Sequence, residues 1–225
     1  MIEFYGDYQV YSESGVDLTL LRESLNHSPT ERIEENCQAI PLLMECDRAS
    51  REKYPWLRHR PRLIMLDPAP LLRLLTEKRV KYVLIGGLAM RAHGSAHLTE
   101  DLDICYCRTP ENLEAVATAL APAHPYLRGA PPGLPFRLDE ATLQAGLNFT
   151  LTTDFGWIDL LGEVSGIGAY DKVIAQSVEQ VLYGLPVRVL SLDGLIAAKR
   201  AAGRNKDHAH LLELEELKKM RDAEQ

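Results

Sequence analysis

Asp101 and Asp103 interrupt an otherwise apolar run, "HLTEDLDICYC". Side chains alternate along a strand, so both carboxylates would face one way while Leu102 and Ile104 turn to the core. Their Cα atoms would lie roughly 7 Å apart. Two carboxylates sharing a cleft resist joint ionisation unless a cation compensates them. Mg²⁺ prefers hard oxygen ligands and usually combines one or two carboxylates with substrate phosphates; Mn²⁺ suits the same donors. A third acid would complete a two-ion site. Asp159, in "GWIDLLGE", is the candidate: an isolated charge in an apolar strand, far along the chain. Neighbouring strands of one sheet would each supply a ligand. An acid near an attacking hydroxyl can bind a metal that lowers its pKa, or take its proton.

Gly86 and Gly87 precede this pair, ending the β-rich run "KYVLIGG" and leading into "LAMRAHG", a short helix closed by Gly94. Exposed N–H groups at a helix start bind phosphate, and two residues without side chains let a triphosphate come close. Each piece alone has an ordinary reading: a D-x-D in a surface turn, a Gly-Gly turn, an Asp159 facing water at a strand edge. Their order along the chain predicts a phosphate and metal site. Lys199, Arg204 and Lys206 in "KRAAGRNK" either neutralise triphosphate charge, Arg by a two-pronged grip and Lys as a point charge, or form a solvated helix face. His93 either contacts substrate or packs at a helix end. Tyr170 either stacks on a base or covers the core. Thr99 hydrogen-bonds locally beside the metal strand.

The elements that must position these residues follow from periodicity and capping. Residues 10–55 read as helical; Ser28, Pro29 and Glu31 form a capping signature. A basic, proline-containing link follows at 51–62. Asp67 caps a helix with Pro68 inside it, and Thr109 and Pro110 open another. "PAHPYLRGAPPGLPF" reads as loop. "LNFTLTT" and "WIDLLGE" read as strands joined at "DFG". "SVEQVLYGLPVRVLS" ends in a short strand, and the rest of the third stretch is mainly helical. Ser191 and Gly203 bracket one helix, and Asn205 caps the last. The expected division is 1–62, a helical N-terminal extension and linker; 63–190, the core; and 191–225, C-terminal helices packed on it.

At 225 residues the chain is long enough to bury a core without disulfide or metal staples. Its net charge of -7, from 32 acidic and 25 basic residues, excludes broad non-specific nucleic-acid binding. No segment has the apolar length to cross a bilayer, and "MIEFYGDYQV" lacks the basic and apolar regions of a secretory signal. Cys37, Cys46, Cys105 and Cys107 show no zinc-site spacing; Cys105 and Cys107 share a strand face and read as buried reduced thiols rather than a ligand pair. The expected location is cytoplasmic.

Residues 81–104 resemble the signature of the DNA-polymerase-β-like nucleotidyltransferase superfamily, in its minimal bacterial branch. The resemblance continues through "WIDLLGEVSGIGAYDKV" and "LDGLIAAKRAAGRNKDHAHLLELEEL", where it looks most like abortive-infection nucleotidyltransferase toxins. It implies an α/β (α+β) fold, a small mixed sheet packed by helices. It also implies transfer of a nucleoside monophosphate from an NTP to an acceptor, with release of pyrophosphate. Asp101, Asp103 and Asp159 would match the catalytic metal ligands, for Mg²⁺ or Mn²⁺. Gly86, Gly87, Thr99, Lys199, Arg204 and Asp207 would serve the nucleotide. The acceptor (tRNA, protein or small molecule) is left open, and a toxin would have an antitoxin partner. Two positions depart from the pattern: Leu88 stands where many members have serine or threonine, and His97 where arginine is frequent, a weaker and pH-dependent cation. A D-x-D glycosyltransferase and a non-catalytic nucleotide- or partner-binding module are the alternatives.

Overall fold

The computed structural model describes residues 4–5, 8–53, 66–131, 133–204 and 207–223. In chain order the elements are β1 Phe4–Tyr5, β2 Tyr8–Gln9, α1 Leu18–Leu25, α2 Pro29–Lys53, α3 Pro68–Glu77, β3 Tyr82–Ile85, α4 Gly86–His93, β4 Asp101–Tyr106 and α5 Pro110–Leu120. They continue with β5 Tyr126–Leu127, α6 Glu140–Ala145, β6 Asn148–Thr153, β7 Gly156–Leu161, β8 Glu163–Val164, β9 Gly168–Ala169, α7 Tyr170–Ala175, β10 Ser177–Leu182, β11 Leu185–Leu190, α8 Leu192–Ala202 and α9 Asp207–Ala223.

Seven strands form one mixed sheet in the order β10-β11-β3-β4-β7-β6-β5. The pairs β11–β3 and β4–β7 are parallel and the others antiparallel. The expected mixed α/β architecture, a helix-packed sheet with helices before and after it, is the one observed. Leu84, Leu102, Ile104, Ile158 and Leu160 fill the core beneath the sheet's centre. Among the described residues no helix is long and apolar enough to cross a membrane.

Local chemistry accounts for most boundaries. The Ser28 N–H donates to Glu31 Oε2 at 2.7 Å and the Glu31 N–H to Ser28 Oγ at 3.3 Å, the reciprocal pair that opens α2. Asp67 accepts from the Ala69 N–H to start α3, and Ser191 accepts from the Gly194 N–H to start α8. Gly94 and Gly203 end α4 and α8 with φ of 111° and 59°, backbone that only glycine adopts cheaply.

Three expectations are corrected. The proline- and glycine-rich stretch read as loop carries β5, a two-residue edge strand. The stretch "SVEQVLYGLPVRVLS" is a full hairpin, β10 and β11, because Tyr183 and Gly184 both take positive φ (53° and 76°) and turn the chain in two residues. Gly86 and Gly87 do not prolong the strand; they open α4. From residue 54 onward the basic link at 51–62 falls outside the described residues, as do Asn205 and Lys206. The four cysteines are free thiols, with Cys105 buried and Cys107 half-buried.

Candidate active site

The sheet register assembles the acids. β4 and β7 run parallel with Asp103 directly opposite Asp159, and opposed residues on neighbouring strands share a face. Asp101 lies two residues along β4, on the same face. Oxygens of the three carboxylates lie within 4.8 Å of one another, a group able to hold a metal ion. The register row extends further: Ile85 opposes Asp103 on one side, and Thr150 opposes Asp159 on the other.

The glycines have a role that the sequence reading did not assign. A Cβ on Gly86 would lie 2.0 Å from Asp103 Oδ2, and one on Gly87 would lie 2.4 Å from Thr99 Oγ1. Gly86 also has φ +65°. Bare backbone is therefore required so that Asp103 and Thr99 can pack against the start of α4. The Gly87 N–H lies near enough to the Asp103 carboxylate to favour its charged form. The Thr99 hydroxyl donates to Asp101 Oδ1 at 2.9 Å.

The electrostatics of the cluster favour a cation. Burial, with Asp101 and Asp159 close by, pushes the Asp103 carboxyl well above the ordinary carboxylate value, while the Gly87 N–H and Lys199 pull the other way. Burial also raises Asp159, opposed by Arg128. Arg128, on the turn after β5, is a residue the sequence reading missed. Its Nη2 donates to Asp159 Oδ1 at 2.5 Å, and its Nη1 lies 3.7 Å from Asp101 Oδ2. Its guanidinium sits 4.7 Å from the centroid of the Trp157 ring, at cation–π distance. The Arg128 N–H donates to Thr150 O at 3.0 Å. That bond prolongs the β5–β6 pairing by one residue and aims the side chain along the register row at Asp159. The donor set fits a hard divalent cation: three carboxylates converge, and burial together with mutual repulsion raises the cost of ionising them without one.

A cleft of about 370 Å³ opens over these residues, within the roughly 300–1,000 Å³ usual for small-molecule sites. Gly86, Gly87, Thr99, Asp101, Asp103, Asp159, Lys199, Arg204 and Asp207 all line it, whereas His93 and Tyr170 do not. The far wall is not a free row of cations. Lys199 Nζ donates to Asp207 Oδ1 at 2.8 Å and to His210 Nδ1 at 3.1 Å. Burial acts to raise Asp207, and Lys199 overcomes it, leaving that carboxyl below its usual value. Burial, with His97 and Lys199, pushes His210 down to about 4, so its neutral ring accepts from the ammonium. The His97 and His210 rings are 3.9 Å apart. Arg204 is exposed at the rim.

The two residues read both ways resolve toward packing. His93 is buried, and its Nε2–H donates to Leu190 O at 2.8 Å while Arg221 donates to its Nδ1 at 3.1 Å. Tyr170 packs against the core. Leu88, at the departure from the serine or threonine pattern, is fully buried.

No protein-family model matches this chain, and no curated protein matches it. Several solved structures are similar to it, two of which follow. One is the crystal structure of the lincosamide antibiotic adenylyltransferase LnuA with lincomycin bound, at a TM-score of 0.46 and 13% identity, over 68% of this chain and 98% of that one. The other is the solution structure of the antibiotic-resistance factor ANT(2'')-Ia, at a TM-score of 0.40 and 15% identity, over 69% and 87% of the two chains.

Proposed function

We propose that this protein is a divalent-metal-dependent nucleotidyltransferase. A hydroxyl oxygen of the acceptor would bond the α-phosphorus of an NTP and give up its proton to a nearby carboxylate, the bond from that phosphorus to the bridging oxygen would break, and pyrophosphate would leave. The observation that carries the reading is the convergence of Asp101, Asp103 and Asp159 from two neighbouring strands at the floor of a cleft. The resemblance of residues 81–104 to the superfamily signature supports it.

Asp101, Asp103 and Asp159 would hold Mg²⁺ or Mn²⁺. Such an ion, when bound, offsets phosphate charge and lowers the pKa of an attacking hydroxyl. The chain's own residues do the rest. Gly86 and Gly87 keep Asp103 and Thr99 tight against α4, and Thr99 orients Asp101. Lys199 places a positive charge on the opposite wall, where a triphosphate would lie, and Asp207 and His210 hold its side chain in place. Arg204 offers a second cation at the rim.

The test is to incubate the protein with α-labelled NTPs, Mg²⁺ and three acceptor classes (tRNA, protein and hydroxyl-bearing small molecules), following label transfer and pyrophosphate. Transfer to one class is expected, falling by ~100-fold or more, about 2.7 kcal/mol of barrier, in Asp103→Ala. Undiminished transfer in that variant would refute the assignment. One observation favours a second reading, a nucleotide-binding module without turnover: Arg128 already pairs with two of the three acids. Calorimetry showing NTP binding with no product on any acceptor would select it.

A further inference from the structure

Asn36 lies in α2, more than sixty residues before the acid strand, and its side chain is completely buried. Its amide makes a matched pair of hydrogen bonds with the backbone of one residue. The Thr99 N–H donates to Asn36 Oδ1 at 2.8 Å, and Asn36 Nδ2 donates to Thr99 O at 2.9 Å. A neighbouring strand would make two such bonds; here a side chain supplies them. They give partners to half-buried backbone groups of a segment, residues 95–99, that belongs to no helix or strand.

The same segment is gripped from its other side by the C-terminal helix. Glu213 in α9 accepts from the Ala96 N–H at 2.6 Å and from Ser95 Oγ at 2.9 Å, and Arg91 in α4 donates to Ser95 O at 2.7 Å. The segment from Ser95 to Thr99 is thus clamped between helices that precede and follow the sheet. What the clamp holds is chemical. The Thr99 hydroxyl donates to Asp101 Oδ1, and Gly87 leaves the space that lets it do so. The chain of contacts is Asn36, Thr99 backbone, Thr99 hydroxyl, Asp101 carboxylate.

We propose that Asn36 is a positioning residue for the Asp101 carboxylate, so that the N-terminal helix α2 is a working part of the acid site. The proposal rests on the reading of Asp101 as a metal ligand. Partners that orient metal ligands typically contribute about 10- to 100-fold in metal affinity. A purely structural asparagine, tying α2 to the loop, would lower stability without acting through the Thr99 hydroxyl.

The experiment compares Mn²⁺ affinity and thermal unfolding in the full chain as wild type, Asn36→Ala, Thr99→Val and the double variant. Asn36→Ala is expected to weaken Mn²⁺ binding about tenfold, and the double variant to bind no more weakly than Thr99→Val alone, because both changes interrupt one path. Wild-type affinity in Asn36→Ala, or effects that multiply in the double variant, would overturn the proposal. Should Asn36→Ala not fold, Asn36→Asp takes its place; it keeps the volume and the acceptor for the Thr99 N–H but presents a carboxylate to Thr99 O. A wild-type protein that binds no Mn²⁺ refutes the metal reading instead. The positioning claim is then read from amide exchange of Asp101 to Asp103, which Asn36→Ala must accelerate for the claim to stand.

Discussion

Arg128→Gln separates two things the guanidinium could do at the acid cluster: support a cation or compete with one. Its Nη2 is 2.5 Å from Asp159 Oδ1 and its Nη1 3.7 Å from Asp101 Oδ2. The side chains of Arg128, Asp159 and Asp101 are 23%, 17% and 30% exposed, so the pairs are only partly screened. A hydrogen bond between charged partners contributes about 1.5–3 kcal/mol, and the longer pair adds less than about 1 kcal/mol. A metal that takes Asp159 and Asp101 as ligands must displace that guanidinium. Removing it should therefore relieve about 2 kcal/mol of competition, which at 1.4 kcal/mol per decade is roughly a 25-fold gain in affinity. The same change leaves Asp159 without the partner that offsets its burial, and it removes the stacking on Trp157. In chelator the variant should be less stable than wild type, and Mn²⁺ should raise its melting temperature by more. Titration calorimetry with Mn²⁺ on both proteins, with melting curves in chelator and in metal, is the assay. Equal or weaker Mn²⁺ binding by Arg128→Gln would refute the competition and make Arg128 a supporting element of the site.

Two further predictions concern Asp103. Gly86→Ala should cost about 3 kcal/mol in denaturant unfolding and abolish Mn²⁺ binding, since the new Cβ would fall 2.0 Å from Asp103 Oδ2 at a backbone φ of +65°; a change below about 0.5 kcal/mol, the range of neutral surface substitutions, would contradict the packing described. The folded Asp103 carboxyl is raised well above its ordinary value, chiefly by burial and then by Asp101 and Asp159. The folded state therefore holds a proton that the unfolded chain loses near pH 4. In chelator, the contribution of Asp103 to stability should be fullest below about pH 4 and be lost as pH rises through the folded value, so the difference in stability between wild type and Asp103→Asn should change across that range; denaturant midpoints across pH that slope alike in both proteins would count against it.

The legible parts of this molecule are those whose cause is local. Ser28 and Glu31, Asp67 and Ser191 act within three residues of themselves, and each starts the helix expected of it. The alternation of Asp101, Leu102, Asp103 and Ile104 places carboxylates and core on opposite faces whatever the neighbouring strands are. Asp159 stands out for the same reason, an acid on an apolar strand, although only the β4–β7 register could set it beside Asp103. The missed parts have causes that lie across space. β5 is two residues long in a stretch of prolines and glycines, so no periodicity announces it, and without β5 nothing directs Arg128 along the register row to Asp159. The β10–β11 turn asks a tyrosine to take positive φ, which hides a two-residue hairpin from turn chemistry that looks for asparagine or glycine first. Asn36 sits in a helix whose sequence gives no hint of an active site, and its importance is visible only once Thr99 is seen to need partners. Gly86 and Gly87 fall between the two kinds. Their type is a plain signal that backbone comes close to something, but their neighbours are the site's own Asp103 and Thr99. A glycine pair beside two half-buried acids is thus first a requirement for assembling those acids, and any anion it receives must be held by the donors that this packing leaves over.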